Sequence, residues 1–151
     1  MSVINRKKVT QIGILVWDLD KAAAAWKKYL GVEPYIGETA DYQVTGATYK
    51  GEACYGRIKQ AMFDLDNIQI ELIAPIGDEP SIWHDYLEEH GEGIHHIAFS
   101  SDDTDAAVQE LEQDGKPVIQ YGTWPAEPRD GRYTYLDAQD DLKVILEILD
   151  C

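Results

Sequence analysis

The feature that most constrains the fold of this chain is an internal repeat. When the second half is displaced by 85 positions, Gln11 falls on His96, and the strand-like and helix-like patterns around them coincide. At a displacement of 76, the segment IQIELI (68–73) lies over VILEIL (144–149), so that Glu71 falls on Glu147. The flanking pairs are apolar, except that Gln69 meets Ile145. Such self-similarity predicts two alike supersecondary units.

Each half has the pattern of a strand, a helix and further strands. Residues 9–16 alternate and are β-branched, which predicts a strand, and residues 18–31 predict a helix capped by Asp18 or Asp20 and ended by Gly31. Strands at 47–51, 56–65 and 67–75 and a helix at 81–91 follow. The pattern then restarts with a strand and a helix up to Gly115, and strands at 131–137 and 142–150. The Pro/Gly-rich stretch 121–131 predicts a surface loop.

Composition narrows the classes of function. The chain has 151 residues, 44% of them hydrophobic, which fits one globular domain. The net charge of −15 excludes a basic nucleic-acid surface and opposes binding to anionic membranes. Two cysteines without a CxxC pair predict neither a disulfide framework nor a cysteine zinc site. The N-terminus has no apolar signal core and no run reaches 18 apolar residues, which predicts a cytoplasmic protein.

The repeat also brings polar residues to equivalent positions. Gln11 and Glu71 lie in apolar strands of the first half, and His96 and Glu147 lie in apolar strands of the second. Singly, each is typical of an exposed sheet face or a hydrogen-bonded core position. However, buried carboxylates need a compensating partner, and a two-fold packing of the halves would bring all four side chains to one point. One imidazole, two carboxylates and one amide oxygen suit a divalent metal.

These same segments carry a resemblance to a known family. VTQIGILVWDLDKAAAAWKKYLG resembles the opening module of the vicinal oxygen chelate superfamily, which includes glyoxalases, bleomycin-resistance proteins and extradiol dioxygenases. IQIELIAPIGDEPSIWHDYLEEHGEGIHHIAF is similar to the central segment of methylmalonyl-CoA epimerases. The resemblance implies an α+β fold in one domain (1–151), with two tandem βαβββ modules, about 9–75 and about 92–150, that form a curved mixed sheet around a metal site.

Carried over by position, the resemblance implies that Gln11, Glu71, His96 and Glu147 bind a divalent metal (Zn, Co, Ni, Mn or Fe). Epimerases of this type usually have His at the position of Gln11, and some have Gln at the position of Glu71. The set of Gln, Glu, His and Glu is similar to that of some glyoxalase I enzymes. A single His among the ligands counts against extradiol dioxygenase chemistry.

The implied activity is that of a metal-dependent isomerase, epimerase or lyase. It would remove a proton α to a carbonyl through a metal-chelated enediolate or enolate, from a small substrate with vicinal oxygens or a thioester. Glu147 is the first candidate for the catalytic base, and Glu71 could act on the opposite face. Glu52 is a weaker acid/base candidate. Arg57 and Lys59 share a strand face and could hold an anionic group, or they could form a solvated outer face.

Two alternatives remain open. One is glyoxalase I (lactoylglutathione lyase), and the other is a binding protein without catalysis, similar to bleomycin-resistance proteins, whose acidity the net charge of −15 matches. Related modules often form homodimers, so a homodimer is also expected.

The adjacent histidines receive different roles. Successive residues of a strand point to opposite faces, so His96 is predicted to face the metal and His95 to face away, among Ile97 and Phe99. On that basis, replacement of His96 should abolish metal binding and replacement of His95 should mainly cost stability.

Overall fold

The computed structural model of the chain describes residue 4 and residues 7–151. The strands are β1 (Val9–Leu15), β2 (Tyr35–Glu38), β3 (Thr48–Tyr49), β4 (Glu52–Ala53), β5 (Arg57–Asp64), β6 (Gln69–Ile76), β7 (Gly93–Phe99), β8 (Val118–Trp124), β9 (Gly131–Leu136) and β10 (Ile145–Asp150). The helices are α1 (Leu19–Leu30), α2 (Tyr42–Thr45), α3 (Ile82–His90), α4 (Thr104–Gln113) and α5 (Gln139–Leu142).

The strands of the described residues join into one curved, mixed sheet in the order β2-β5-β6-β1-β7-β10-β9-β8-β3-β4. At its centre, β1 runs antiparallel to β7, while β6 is parallel to β1 and β10 is parallel to β7. The strands that carry the repeated motifs are therefore the four adjacent central ones, β6-β1-β7-β10. The predicted α+β class and curved mixed sheet are confirmed.

The two halves are interlocked at one edge. The hairpin of β3 and β4 belongs to the first half of the chain, but β3 pairs with β8 of the second half, through Thr48 with Tyr121 and Tyr49 with Gln120. The division into modules of about 9–75 and 92–150 stays a prediction, and this hairpin crosses the proposed boundary in space.

Polar caps begin the three longer helices. The Asp18 side chain accepts a hydrogen bond from the Lys21 N–H at α1, and the Asp103 side chain accepts one from the Ala106 N–H at α4. Ser81 does the same for α3. Each cap satisfies an N–H group that the first turn leaves unpaired. Gly31 ends α1 in the left-handed conformation, with a φ of 68°, as the sequence predicts.

The helices pack on both faces of the sheet. On the outer face, α1 and α4 cover two separate apolar clusters, which include Phe63 and Leu72 under α1 and Leu146 and Ile148 under α4. The inner face is the opposite one, and α3 packs against it. The buried apolar cluster between them consists of Leu15, Ile58, Ile73, Tyr135 and Ile145 from the strands and Ile82, Trp83 and Leu87 from α3.

Two local predictions differ from the structure. The stretch 121–131 is not all loop, because β8 continues to Trp124 in pairing with β9, and only the proline-containing residues 125–130 lie between the two strands. Strand β2 was not predicted, because it is an exposed edge strand and its sequence therefore lacks the alternation of apolar and polar residues. The N-terminal stretch that lacks an apolar signal core lies partly outside the described residues, which do not include 1–3 and 5–6. Among the described residues, no helix is long and apolar enough to cross a membrane.

Candidate functional site

The four polar residues that the repeat aligns come together on the inner face. Gln11 lies on β1, Glu71 on β6, His96 on β7 and Glu147 on β10, so each of the four central strands supplies one side chain. All four are buried, and His96 has no exposed surface. We refer to these four residues as the polar cluster.

The His96 imidazole is the centre of the polar cluster. Its Nε2 atom lies 2.8 Å from Gln11 Oε1, 3.0 Å from Glu147 Oε2 and 3.6 Å from Glu71 Oε1. The same Gln11 atom is 3.1 Å from Glu147 Oε2 and 3.3 Å from Glu71 Oε1. One donor atom from each side chain therefore faces the same point.

Burial and proximity shift the pKa values of the cluster. Burial raises the pKa of Glu71 from its usual 4.5 to about 7, with a further rise from the Glu147 charge and an opposing effect of His96. For His96, burial lowers the pKa, but the charge and hydrogen bond of Glu147 and the charge of Glu71 outweigh it, so the net pKa is raised. Two buried carboxylates are therefore stable in their ionised form only if positive charge lies beside them.

The donor chemistry of the cluster fits a divalent metal. Among the described residues, no group of three or more His, Cys, Asp or Glu side chains is placed to hold a metal ion as it stands, and the donor atoms instead contact each other. Yet the Gln11 oxygen faces two carboxylate oxygens, an arrangement that a cation between them would relieve. Ligands in cis positions of an octahedral ion with bonds of about 2.1 Å are about 3 Å apart, close to the separations here.

Gly13 makes room for the central imidazole. It lies opposite both Glu71 and His96 in the sheet. A Cβ atom at this position would lie 2.0 Å from His96 Cε1, so no larger residue fits without moving the ring. Sequence reasoning did not single out Gly13, and its only signal was a glycine within an apolar strand, which often marks a close approach.

The face predicted for His95 is wrong. Gly13 pairs with His96 and Ile14 pairs with Ile94, so His95 is an extra residue on β7, as in a β-bulge. A bulge interrupts the alternation of side chains. As a result, His95 has no exposed surface, and its Nδ1 atom lies 2.9 Å from Nδ1 of His96.

His95 sits in an aromatic pocket beside the cluster. Its ring makes edge-on contacts with Tyr86 and Tyr135, at centroid distances of 4.9 and 5.4 Å. Burial, followed by the neighbouring His96 and His90, lowers the pKa of His95 well below its usual value. The imidazole is therefore neutral, and among the described residues its Nε2 atom has no hydrogen-bond partner.

Helix α3 closes the inner face next to the cluster. The Trp83 indole N–H donates a hydrogen bond to the Tyr135 hydroxyl over 3.2 Å, and the Ile82 N–H donates to Gln120 Oε1 over 2.9 Å. Tyr135 also packs against the ring of His96 at 5.2 Å. Tyr135 is thus a buried packing residue that lines one side of the cluster.

Arg57 and Lys59 lie away from the cluster. On β5 they alternate onto the outer face, which they share with Ala61 and Phe63 of the core under α1. Lys59 Nζ pairs with Asp20 at 2.9 Å, and Arg57 pairs with Glu38 at 3.4 Å. The outer-face interpretation of this pair is the one that the structure supports.

Glu52 is also remote from the four central strands. It is exposed on β4, the last strand of the sheet, four strands beyond β10. The described contacts therefore give no support to its weaker candidacy as an acid or base.

Two further polar residues adjoin the cluster. Gln69 Oε1 accepts a hydrogen bond from Gln11 Nε2 over 2.6 Å, and Gln69 Nε2 donates to Asp64 Oδ1 over 2.9 Å. Sequence reasoning assigned no function to either residue. The available signal was the one polar-apolar mismatch between the segments 68–73 and 144–149, Gln69 with Ile145.

Comparison with known proteins gives a consistent family. A family model described as Glyoxalase/Bleomycin resistance protein/Dioxygenase superfamily matches residues 10–135. The ethylmalonyl-CoA/methylmalonyl-CoA epimerase of Cereibacter sphaeroides is 31% identical over 127 residues, which cover 83% of this chain and 81% of that protein. The mitochondrial methylmalonyl-CoA epimerase of Homo sapiens is 29% identical over 132 residues, covering 78% and 68%.

Solved structures share the fold. A methylmalonyl-CoA epimerase variant from Streptomyces coelicolor, in complex with 2-nitronate-propionyl-CoA, has a TM-score of 0.67 at 24% identity, and the match covers 94% of this chain and 95% of that one. The methylmalonyl-CoA epimerase from Mycobacterium tuberculosis has a TM-score of 0.68 at 21% identity, covering 99% and 91%.

Proposed function

The chain belongs to the glyoxalase/bleomycin resistance protein/dioxygenase superfamily and is an epimerase-like enzyme, and we propose that it inverts the α-carbon of a methylmalonyl-CoA-like thioester with the aid of a divalent metal. The substrate class is taken from its relatives. One relative is named for ethylmalonyl-CoA and methylmalonyl-CoA, and a neighbouring structure holds methylmalonyl-CoA itself.

The observation that carries the proposal is a pair of buried carboxylates that flank the central strands. Glu71 on β6 and Glu147 on β10 stand on either side of the β1–β7 pair, and both approach His96 Nε2. An inversion needs one group that takes a proton from one face of a carbon and another that returns a proton to the opposite face. This pair offers both groups within one buried pocket.

Glu147 and Glu71 together can account for both proton transfers of the inversion. Glu147, as the carboxylate, takes the α-proton, and Glu71, as the carboxylic acid, gives its proton to the other face. The reverse reaction exchanges the two roles, so the pair holds one proton before and after each inversion. The neighbouring buried side chains, including Tyr135, exclude water that would compete for these protons.

Gln11, Glu71, His96 and Glu147 are the residues that would hold the metal. When bound, the ion would supply positive charge that stabilises the anion left by removal of the α-proton. The set of one nitrogen and three oxygen donors suits the ions Zn, Co, Ni, Mn or Fe. Because the pair holds one proton during the reaction, one carboxylate charge would partly offset the charge of a divalent ion and leave positive charge for the anion of the substrate.

Deuterium exchange tests the proposal. One epimer of methylmalonyl-CoA is incubated in D₂O with metal-free protein and with protein loaded separately with each of the five ions, and mass and configuration at the α-carbon are followed. We expect exchange and inversion above the buffer rate with at least one ion. With Glu147→Gln or Glu71→Gln, inversion should fall by about 10²- to 10⁴-fold, while the epimer that faces the remaining carboxylate should still exchange its proton without inverting. Buffer-level exchange with every ion would reject the proposal.

The donor set itself favours a second candidate, glyoxalase I. A Gln, Glu, His and Glu set is similar to that of some of those enzymes, whereas epimerases usually have His in place of Gln11. The same metal-loaded samples can be assayed with the hemithioacetal of methylglyoxal and glutathione. Turnover of the hemithioacetal without inversion of the thioester would replace the first candidate by the second.

A further inference from the structure

A row of three polar side chains runs across β5, β6 and β1 and ends at the polar cluster. In the sheet register, Asp64 lies opposite Gln69, and Gln69 lies opposite Gln11. Their side chains follow the same order, with Gln69 Nε2 2.9 Å from Asp64 Oδ1 and Gln11 Nε2 2.6 Å from Gln69 Oε1. Asp64 is exposed, Gln69 is half-buried and Gln11 is buried, so the row connects the surface to the cluster.

Asp64, at the exposed end of the row, determines which group donates and which accepts in each hydrogen bond of the row. A carboxylate accepts hydrogen bonds and cannot donate them, so Asp64 requires the NH₂ group of Gln69. The Gln69 oxygen then faces Gln11 and requires the NH₂ group of that side chain. The Gln11 oxygen is therefore left facing Glu71, His96 and Glu147.

The opposite orientation of the Gln11 amide would form hydrogen bonds with the cluster but would lose the hydrogen bond to Gln69. If the amide rotated by 180°, its NH₂ group would lie 2.8 Å from His96 Nε2, 3.1 Å from Glu147 Oε2 and 3.3 Å from Glu71 Oε1. Its oxygen would then meet Gln69 Oε1 at 2.6 Å, oxygen against oxygen. Rotation of Gln69 as well would only move that conflict to Asp64, at 2.9 Å.

We infer that Asp64 and Gln69 are positioning residues, which hold the Gln11 amide with its oxygen toward the cluster and so prepare it as a metal ligand. This inference rests on the proposed metal-dependent function. Hydrogen-bonded partners behind a ligand commonly fix its orientation in metal sites. Here the partner chooses between an oxygen, which can bind a cation, and an NH₂ group, which cannot.

The same role explains the one polar-apolar mismatch between the repeated segments 68–73 and 144–149. Gln69 lies over Ile145, and Ile145 is the sheet neighbour of His96, just as Gln69 is the neighbour of Gln11. An imidazole has a nitrogen on either side of its ring, and His96 takes its second contact from His95. An amide needs a hydrogen-bonding neighbour to hold its oxygen, rather than its NH₂ group, toward the cluster. This explains why Gln11 has a polar neighbour, Gln69, whereas His96 has the apolar neighbour Ile145.

The test measures Mn²⁺ and Co²⁺ affinity by calorimetry in 0.15 M salt, together with Tm. Gln69→Ile, which installs the residue of the other half, should weaken binding by about 10- to 100-fold. Asp64→Lys replaces an acceptor by a donor, so it should reverse the hydrogen bonds of the row and weaken metal binding by at least about 10-fold. Asp66→Lys makes the same change of charge at a nearby exposed residue outside the row and, because salt screens surface charges, should stay within about two-fold.

A double variant distinguishes the effect of hydrogen-bond direction from that of side-chain packing. Asp64→Asn with Gln69→Glu keeps the net charge and again presents an acceptor to Gln11, so its affinity should return to within about three-fold of the wild type. Amide NMR of metal-free protein adds a second measurement, in which a Gln11 NH₂ proton should show a contact with Gln69 that Asp64→Lys removes.

The outcomes distinguish the inference from the proposed function. A wild-type protein that binds no ion but shows the Gln11–Gln69 amide contact would reject the metal-dependent function and support the orientation. Equal affinity of wild type, Gln69→Ile and Asp64→Lys would overturn the inference alone. Equal losses in Asp64→Lys and Asp66→Lys would also overturn it, since charge rather than direction would then be the cause.

Discussion

The Nδ1 atoms of His95 and His96 lie 2.9 Å apart in the buried interior, so the two adjacent imidazoles share a hydrogen bond with one proton. For His96 to offer its Nε2 lone pair to a metal, its own Nδ1 must carry that proton and donate it to His95. The neutral state of His95, whose pKa burial lowers, makes it an acceptor for this bond. His95 is therefore placed to select the tautomer of His96.

We expect His95→Leu to weaken metal binding by about 10- to 100-fold as well as to lower Tm, whereas His96→Ala should abolish binding. This revises the expectation that replacement of His95 should mainly cost stability, which rested on the wrong face for His95. His95→Asn, which keeps a hydrogen-bond acceptor, serves as the matched variant and should bind more tightly than His95→Leu. Unchanged affinity in His95→Leu, measured by calorimetry, would contradict this role.

Replacement of Gly13 should displace the central imidazole. The Cβ atom of Gly13→Ala would lie 2.0 Å from His96 Cε1, and overpacking of this kind costs about 1–3 kcal/mol of unfolding free energy. Denaturant unfolding and metal titration should both show losses. Gly37→Ala is the control, because its Cβ would meet only the largely exposed ring of Tyr35. Equal effects of the two variants would argue against a special requirement at Gly13.

The stability of metal-free protein should depend on pH through Glu71. Burial raises its folded pKa to about 7 from 4.5, so between these values the folded state binds more protons than the unfolded state. Stability from this group is present below pH 4.5 and is lost as pH rises through 7. Glu71→Gln should match wild type near pH 4.5 and exceed it near pH 8, by about 3 kcal/mol at most.

Folding also shifts the pKa values of His95 and His96, down for the first and up for the second, and so adds to the pH dependence of stability. The measurement is therefore the difference between Glu71→Gln and wild type at each pH with a chelator present. Addition of a divalent ion should reverse the order at pH 8, because wild type alone keeps the full set of carboxylates. A difference that does not vary with pH would show that folding does not raise the pKa of Glu71.

Arg57 and Lys59 should be dispensable for the reaction. Their side chains lie on the outer face and pair with Glu38 and Asp20, and exposed ion pairs contribute little to stability. Arg57→Gln and Lys59→Gln should leave kcat and KM for the thioester unchanged, in steady-state assays beside wild type. A rise in KM confined to either variant would instead indicate a role in holding an anionic part of the substrate.

Periodic features of the sequence were sufficient to predict the positions that compose the cluster. Gln11 and His96 recur at equivalent places in two apolar strands, and so do Glu71 and Glu147, because a two-fold arrangement of alike units superposes equivalent positions. Helix caps such as Asp18 were readable for a similar reason, since a cap depends on residues only a few positions apart.

Contacts between strands were not readable in the same way. The bulge at His95 depends on how β7 registers against β1, and that register is set by the packing of both halves. The space beside Gly13 depends on where the His96 ring lies, and the direction of the Gln11 amide depends on Gln69 and Asp64 from two other strands.

The sequence by itself determined which residues repeat, and hence the four members of the cluster, while its resemblance to a known family implied the fold class. Only the tertiary structure decided that His95 faces His96 and that Asp64 and Gln69 adjoin the site. The physical reason is that periodicity is read along one strand, whereas the bulge at His95 depends on the pairing of β7 with β1. The hydrogen bonds of Gln69 and Gln11 likewise join different strands, whose residues meet only when the sheet is assembled.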